Sequence, residues 1–342
     1  MATIYDVARE TGFSLSTISN VLNKGPRPVR AETRDQILAA VRRLNYHPSA
    51  IARGLALRRT NTVGILFGVV EPSAVVLNAY SAAVLQGVLS GAAAAGYNVT
   101  HYTERWRDAA QSEAAFRDRR TDGLLVIAPR TDSDLIPTLA RLDLPLVAVS
   151  WSPEHFPIPS VDADDAVGAR LAVEHLVALG HRRIAHITGH PGLLSARVRR
   201  AIFEQVLCEN GIEPRPEYVL SGEYAQAAGH ALTRRLLALP QPPTALFAGN
   251  DEIAFGALEA AREAGVAVPD RLSVVGVDDR PLAALMNPPL TTLRQPFQAL
   301  GELATRLLLR RIVGEEIEAG PHLLRPELVV RASTAAVSAD IS

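Results

Sequence analysis

The sequence predicts an α/β protein: a small helical head, then two doubly wound parallel sheets following one another along the chain. Three observations predict it. The chain is 342 residues long, too long for a single ordinary core. Its first sixty residues read as short helices, with no strand-like run among them. From Thr62 onward, short apolar runs alternate with amphipathic stretches, the pattern of βαβ units.

The head comes first. Thr3 and Asp6 suit the start of a helix whose apolar face is Ile4, Val7 and Ala8. Gly12, in Thr11-Gly12-Phe13, can take the left-handed geometry of a tight turn. Ser14 then caps a second helix reaching to about Leu22. Ile18, Val21 and Leu22 share its inner face, and the outer face offers Leu15, Ser16, Ser19 and Asn20. Two short helices about a glycine turn make a helix-turn-helix, whose second helix enters the DNA major groove. A third helix from about Ala31 to Leu44 buries Ile37, Leu38, Val41 and Leu44, and Tyr46-His47-Pro48 stops it.

Charge separates head from body. Net charge is −1, yet residues 1–60 hold ten basic side chains against four acidic ones, leaving the remainder at −7. A basic head on an acidic body is the footprint of a module that meets phosphate, although a solvated charged face would look alike.

In the body, strand-like runs fall at Val63–Phe67, Asn98–Tyr102, Gly123–Ile127, Leu146–Ser150, Ile184–Thr188, Ala245–Ala248 and Ser273–Val277. Helical stretches such as Ala82–Ala95, Leu171–Leu179 and Glu252–Ala264 lie between them. The order suggests two sheets, breaking near Pro157–Val161, with a small-molecule cleft beyond the carboxyl ends of their strands. Asp164, Asp165 and Asp251 read as helix caps, and Cys208 as a buried residue of an apolar helix face.

Several classes are disfavoured. One cysteine forbids an intrachain disulfide, and the start of the chain lacks the basic-then-apolar run of an export signal. No apolar run reaches the roughly 18 residues of a membrane span, so a soluble cytoplasmic protein without membrane contact is expected. The nine histidines show no metal spacing. No phosphate-binding glycine loop and no nucleophile elbow is present, so neither an enzyme nor a cofactor is expected.

The motifs themselves are more specific. Ile4-Tyr5-Asp6-Val7-Ala8, Ser14-x-x-Thr17-Ile18-Ser19-x-Val21-Leu22-Asn23, Leu44-Asn45-Tyr46-x-Pro48 and Ala52-Arg53-x-Leu55 resemble the head and hinge of the lactose/galactose-repressor (LacI/GalR) family. The resemblance continues through Leu179-Gly180-His181-Arg182-Arg183-Ile184, Asn250-Asp251-x-x-Ala254, Ser273-Val274-Val275-Gly276-x-Asp278-Asp279 and Pro289-Leu290-Thr291-Thr292-Leu293-Arg294-Gln295. It spans residues 3 to 334 and implies a two-lobed, periplasmic-binding-protein-like core.

The resemblance implies a head at 1–48, a hinge helix and linker at 49–60, and a first lobe at 61–161 with 291–321. The second lobe would take 162–290 with 322–334, and a short tail 335–342 without a leucine heptad points to a homodimer. Leu15, Ser16 and Asn20 would read bases, and Thr3, Ser14, Thr17, Ser19 and Asn23 would touch phosphate. Leu55, with Ala52 and Arg53, would enter the minor groove at the operator centre. Asn78, Tyr80, Ser150, Arg199, Tyr224, Asn250, Asp278, Gln295 and Phe297 would bind an effector, with Arg199 forking onto it.

The function implied is a transcription repressor on a palindromic double-stranded DNA operator, answering to a small sugar or polyol. A nucleobase or nucleoside is the second choice, because Tyr224 and Phe297 can stack on either. Inducer precedes corepressor as the expected effect. Five departures from the family pattern stand out, one being Ile202, which sits where Gly is usual after Arg199 and would alter the packing that aims the arginine. Gly54 lies in the hinge helix, and Arg30 stands where a Ser is frequent. Ser150 replaces an Asp, and the loop Gly68–Leu77 is longer, as if to narrow the cleft mouth or add apolar wall.

Overall fold

The computed structural model describes residues 2–23, 25, 27–47, 54, 59–68, 79–104, 106–142, 144–151 and 158–337. The expected hinge residues Ala52, Arg53 and Leu55, the ligand candidate Asn78, and 69–77 of the long loop lie outside them.

Helices α1 (Ile4–Thr11), α2 (Leu15–Leu22) and α3 (Ala31–Arg43) make the head. Asp6 accepts from the Thr3 N–H at 2.9 Å and the Thr3 hydroxyl at 2.8 Å, fixing the start of α1. Gly12 closes that helix at φ 73°, where an L side chain would be strained. Ser14 Oγ accepts from the Thr17 N–H at 3.2 Å and caps α2. Arg30 gives α3 no side-chain cap. Val7, Ile18, Val21, Ile37 and Ala40 form the shared core, with Ile4, Phe13, Leu22 and Leu44 packed against it. Arg43 Nε donates to Glu10 at 2.8 Å and ties α3 to α1.

The remainder forms two sheets. The first uses β1 (Thr62–Phe67), β2 (Asn98–His101), β3 (Gly123–Ile127), β4 (Leu146–Val149) and β5 (Pro159–Ala163). Its helices are α4 (Ala79–Ala94) and the short α5 (Ala109–Ser112) and α6 (Leu135–Leu139). The second lobe then runs α7 (Asp165–Ala178), β6 (Ile184–Thr188), α8 (Leu194–Glu209), β7 (Val219–Ser221), α9 (Gln226–Leu237), β8 (Ala245–Ala248), α10 (Asp251–Glu263), β9 (Ser273–Asp278) and β10 (Thr291–Arg294). After it come α11 (Phe297–Ile312), β11 (Gly320–Leu324) and β12 (Glu327–Val329).

Strand order is β2-β1-β3-β4-β5-β11 in one sheet and β7-β6-β8-β9-β10-β12 in the other. β11 joins β5 in parallel, whereas β12 joins β10 antiparallel. Apolar clusters cover both faces of each sheet, as buried parallel strands require.

The chain therefore changes lobe three times, after β5, after β10 and after β11. This moves the expected boundaries. Residues 291–294 pair with β9 and belong to the second lobe, whereas 320–324 lie in the first sheet. β5 runs through Ala163, past the break expected at 161. Short polar strands such as Pro-Ser-Val-Asp-Ala carry no alternating apolar signal, so pairing rather than sequence defines them. Cys208 is exposed, not buried: Val206 and Leu207 take the inward positions of α8.

In each lobe two helices cross at facing glycines. A Cβ on Gly87 of α4 would run into the carbonyl oxygen of Gln298, and one on Gly301 of α11 into that of Val84. Likewise Gly229 of α9 faces the Ile253 carbonyl and Gly256 of α10 the Gln226 carbonyl. Among the described residues, no helix is long and apolar enough to cross a membrane.

Candidate functional site

The head presents the outer face of α2. Leu15 and Ser16 are exposed there, as a helix entering a groove requires. Asn20 is differently placed. Its Nδ2 donates to the Arg27 carbonyl at 2.8 Å and its Oδ1 accepts from the Arg27 N–H at 3.4 Å. The amide thus fastens the loop after α2, and reading a base would cost it both bonds. Ser14 Oγ lies 2.9 Å from both Ser16 Oγ and Thr17 Oγ1, and Asn23 Nδ2 donates to Ser19 Oγ at 3.1 Å. The phosphate candidates are thus drawn into short contacts, Thr3, Ser14 and Thr17 at helix starts and Ser19 with Asn23 at the end of α2.

The second site is a cavity of about 380 Å³ between the two sheets of the core. Tyr80, Ser150, Arg199, Tyr224, Asn250, Asp278 and Phe297 all line it, as expected. Gln295 does not. It is buried behind, with Nε2 3.5 Å from Asp165 Oδ1 and Oε1 without a partner among the described residues.

Strand ends build the walls. Ala128 follows β3, Ser150 follows β4, and Asp278 closes β9. All three are non-glycine residues at positive φ (48°, 54° and 124°), and Asp279 follows at 55°. Such conformations cost about 1–3 kcal/mol each and persist only where neighbours over-determine them. Here the neighbours are visible: Asp279 accepts from Arg294 Nε at 2.7 Å and Arg331 Nη2 at 2.6 Å.

Aromatic rings supply the apolar part. Tyr80 meets Phe297 edge to face, with centroids 5.0 Å apart and planes at 89°. The Tyr80 hydroxyl donates to Ser150 Oγ at 2.8 Å, and burial pushes its ionisation up. Tyr224 reaches Ser195 Oγ at 3.3 Å.

Arg199 lines the cavity and is also held by the protein. Its Nε and Nη2 donate to one oxygen of Asp165, at 2.9 and 2.7 Å, and its Nη1 to the Gly249 carbonyl at 2.6 Å. Three of its five N–H groups are thus used within the protein, which leaves one on each terminal nitrogen. Asp165 is accordingly no cap: Asp164 caps α7 through the Val167 N–H at 3.0 Å. Asn250 and Asp251 are similarly exchanged. Asn250 caps α10 through the Ile253 N–H at 2.9 Å. Asp251 instead accepts from the Thr292 hydroxyl at 2.6 Å and the Arg280 N–H at 2.8 Å, and burial pushes its carboxyl up to about 6.

Sequence reasoning missed Asp162, Asp165, Glu252 and Arg280, which also line the cavity. Two signals were present. In the doublet Asp164-Asp165 only one acid can cap a helix, and Asp162 stands beside the last residue of a strand, where open α/β sheets place ligands.

Comparison with known proteins agrees with this architecture. Residues 3–49 match the model of bacterial regulatory proteins of the lacI family, and residues 173–334 match a periplasmic binding protein-like domain. The HTH-type transcriptional repressor PurR of Photobacterium profundum is 36% identical over 339 residues, covering 97% of this chain and 98% of that protein. PurR of Haemophilus influenzae is 33% identical, covering 98% and 100%. Among solved structures, the lac repressor dimer bound to operator and the anti-inducer ONPF superposes with a TM-score of 0.86 at 32% identity, covering 98% of this chain and 99% of that one. The transcriptional regulator CelR in complex with cellobiose gives 0.74 at 29% identity, covering 97% and 100%. With likeness running through head and core alike, the chain belongs to the lacI family of bacterial regulatory proteins, DNA-binding regulators of transcription.

Proposed function

We propose that this repressor binds a palindromic operator as a homodimer, and that a small molecule in the core cavity changes its affinity for DNA. The observation that carries the reading is the pairing, on one chain, of an exposed Leu15–Ser16 helix face with a cavity whose walls come from both lobes. A ligand that touches both lobes can favour one relative orientation of them, and only through that difference can it act at a distance.

A nucleobase or nucleoside is the first reading of the effector, ahead of the sugar the sequence alone suggested. Tyr80, Phe297 and Tyr224 offer ring surfaces for a planar molecule. Asp162 and Asp278 offer carboxyl oxygens, which match the N–H edge of a base. The name of the curated relatives, PurR, supports a purine. A sugar is the second reading, supported by the CelR neighbour with its cellobiose.

At the DNA, Leu15 and Ser16 read bases, Thr3, Ser14, Thr17, Ser19 and Asn23 set register on phosphate, and Leu55 with Ala52 and Arg53 takes the minor groove. Asn20 positions the loop at Arg27. Asn20→Ala should then weaken all operators by a similar factor, whereas relaxed choice at one base position would return it to base reading.

The deciding experiment selects DNA from a random pool with the full chain, then titrates the selected duplex at several salt concentrations with and without nucleobases, nucleosides and sugars. A palindrome whose affinity falls steeply with salt, and shifts with one compound, is the expected result. No enriched sequence from a folded chain would overturn the reading.

A further inference from the structure

The charged groups lining the cavity do not balance. Four carboxyl groups face it, from Asp162, Asp165, Glu252 and Asp278, against the guanidinium groups of Arg199 and Arg280. Each guanidinium is already taken. Arg199 pairs with Asp165 at 2.7 Å, and Arg280 pairs with Glu252. Asp162 and Asp278 are left over. Asp162 is 8% exposed and takes the Ala163 N–H at 2.8 Å and the Ser150 hydroxyl. Among the described residues, no side chain donates a hydrogen bond to the Asp278 carboxylate.

Two carboxyl groups in a confined, mostly apolar space cannot stay ionised without a counter-charge. Burial, with Asp165 adding repulsion, pushes Asp162 up to about 8. Burial and the nearby Asp251 push Asp278 well above the usual carboxylate range. Arg199 opposes both shifts, and its pairing with Asp165 keeps it from cancelling them. The phenols of Tyr80 and Tyr224 stand in the same field and add no positive charge.

We infer that the effector of this cavity carries a protonated amine, which supplies the cation that Asp162 and Asp278 lack. The inference rests on the cavity being the effector site and narrows the ligand on either scaffold: an amino-substituted nucleoside or an amino sugar, rather than its neutral parent. Binding of such a cation expels the protons held by the two carboxyl groups, so affinity rises with pH up to about 8. Without ligand the sign is opposite. An acid raised from 3.8 to about 8 binds its proton more tightly in the folded chain, so the empty protein loses stability as pH climbs through that window.

The test uses the full chain and two matched pairs, 5′-amino-5′-deoxyadenosine against adenosine and glucosamine against glucose, by equilibrium dialysis and thermal melting. In at least one pair the amine should bind about tenfold or more tightly than its neutral partner, with the preference shrinking as pH falls from about 8 to about 6. Asp162→Asn and Asp278→Asn, checked by circular dichroism for folding, should each reduce that preference. A neutral partner that binds as well or better in both pairs overturns the inference, as does the absence of binding by either amine. So does an amine preference that survives both substitutions. Binding of neutral adenosine as tight as that of its amine, with glucosamine no better than glucose, would refute the cation and leave the effector cavity standing, whereas failure to select an operator would refute the regulator reading itself.

Discussion

The two lobes share a strand order and a way of packing helices, yet their interiors differ. In the first lobe the central strands Thr62–Phe67, Gly123–Ile127 and Leu146–Val149 bury an almost wholly apolar set of side chains. In the second, His186, Thr188, Ser273, Thr291 and Thr292 are all buried within the sheet. Those polar groups are largely matched to one another. His181 reaches Thr244 Oγ1 and Ser273 Oγ, each at 3.0 Å, and the Ala335 carbonyl at 3.1 Å, pinning the segment after β12 to the sheet. Thr292 holds Asp251, and through the Arg280 N–H Asp251 holds the turn that presents Asp278. One frame thus serves two ends: an oily first lobe that contributes rings, and a hydrogen-bonded second lobe that aims most of the polar groups.

If that contrast is right, removing a buried polar anchor should hurt the second lobe most. Arg199→Met leaves Asp165 buried without its partner, and a loss of about 3–5 kcal/mol in denaturant unfolding is expected. A loss below about 1 kcal/mol would mean that the pair is solvated and the polar framework is dispensable.

The next effect is a pH dependence. Burial lowers His186 from 6.5 to about 4, its ring stacked on Phe247 with centroids 4.6 Å apart. The folded chain therefore holds this imidazole neutral while the unfolded chain protonates it. Stability should fall as pH drops from about 6.5 to about 4, by on the order of 3 kcal/mol, and His186→Phe should remove that slope. Its Nε2 has no partner among the described residues, so the substitution removes an unsatisfied buried atom as well. An unchanged acid limb in the variant would place the sensitivity elsewhere.

Gly87→Ala and Gly256→Ala test what the lobes have in common. Each added methyl meets a backbone carbonyl of the facing helix, and each should cost about 1–3 kcal/mol or more, by a similar amount in the two lobes. A marked inequality would show that one helix pair can slide apart and the other cannot. The smallest effect is Asn250→Ala, which removes the cap of Asp251–Glu263 for about 1 kcal/mol. A far larger loss would mean that Asn250 also braces the cavity wall.

Much of this architecture was legible beforehand. The head was read nearly residue by residue, because its caps and its apolar spacing act over three or four positions and need nothing distant. Most long strands were found as apolar runs. Strands β5, β7, β10, β11 and β12 were not, because Pro159–Ala163, Val219–Ser221, Thr291–Arg294, Gly320–Leu324 and Glu327–Val329 take their identity from the strands beside them. That omission misplaced the lobe boundaries. In the cavity, the rings were anticipated from the family resemblance and Asp278 from its strand end, whereas Asp162 and Asp165 were not.

The sequence by itself determined the helical head, the alternation of strand and helix, and a polar cleft at the strand ends. These follow from periodicity, capping and charge, which are local properties of the chain. Only the tertiary structure decided which acid caps and which turns inward. Asp164 and Asp165, like Asn250 and Asp251, are neighbours with the same local chemistry. Their roles separate only when Arg199, 34 residues away in the chain, or Thr292, 41 residues away, arrives within hydrogen-bond reach of one of them. A buried carboxyl group is held by whatever partner the fold brings to it, and that partner is not written beside it.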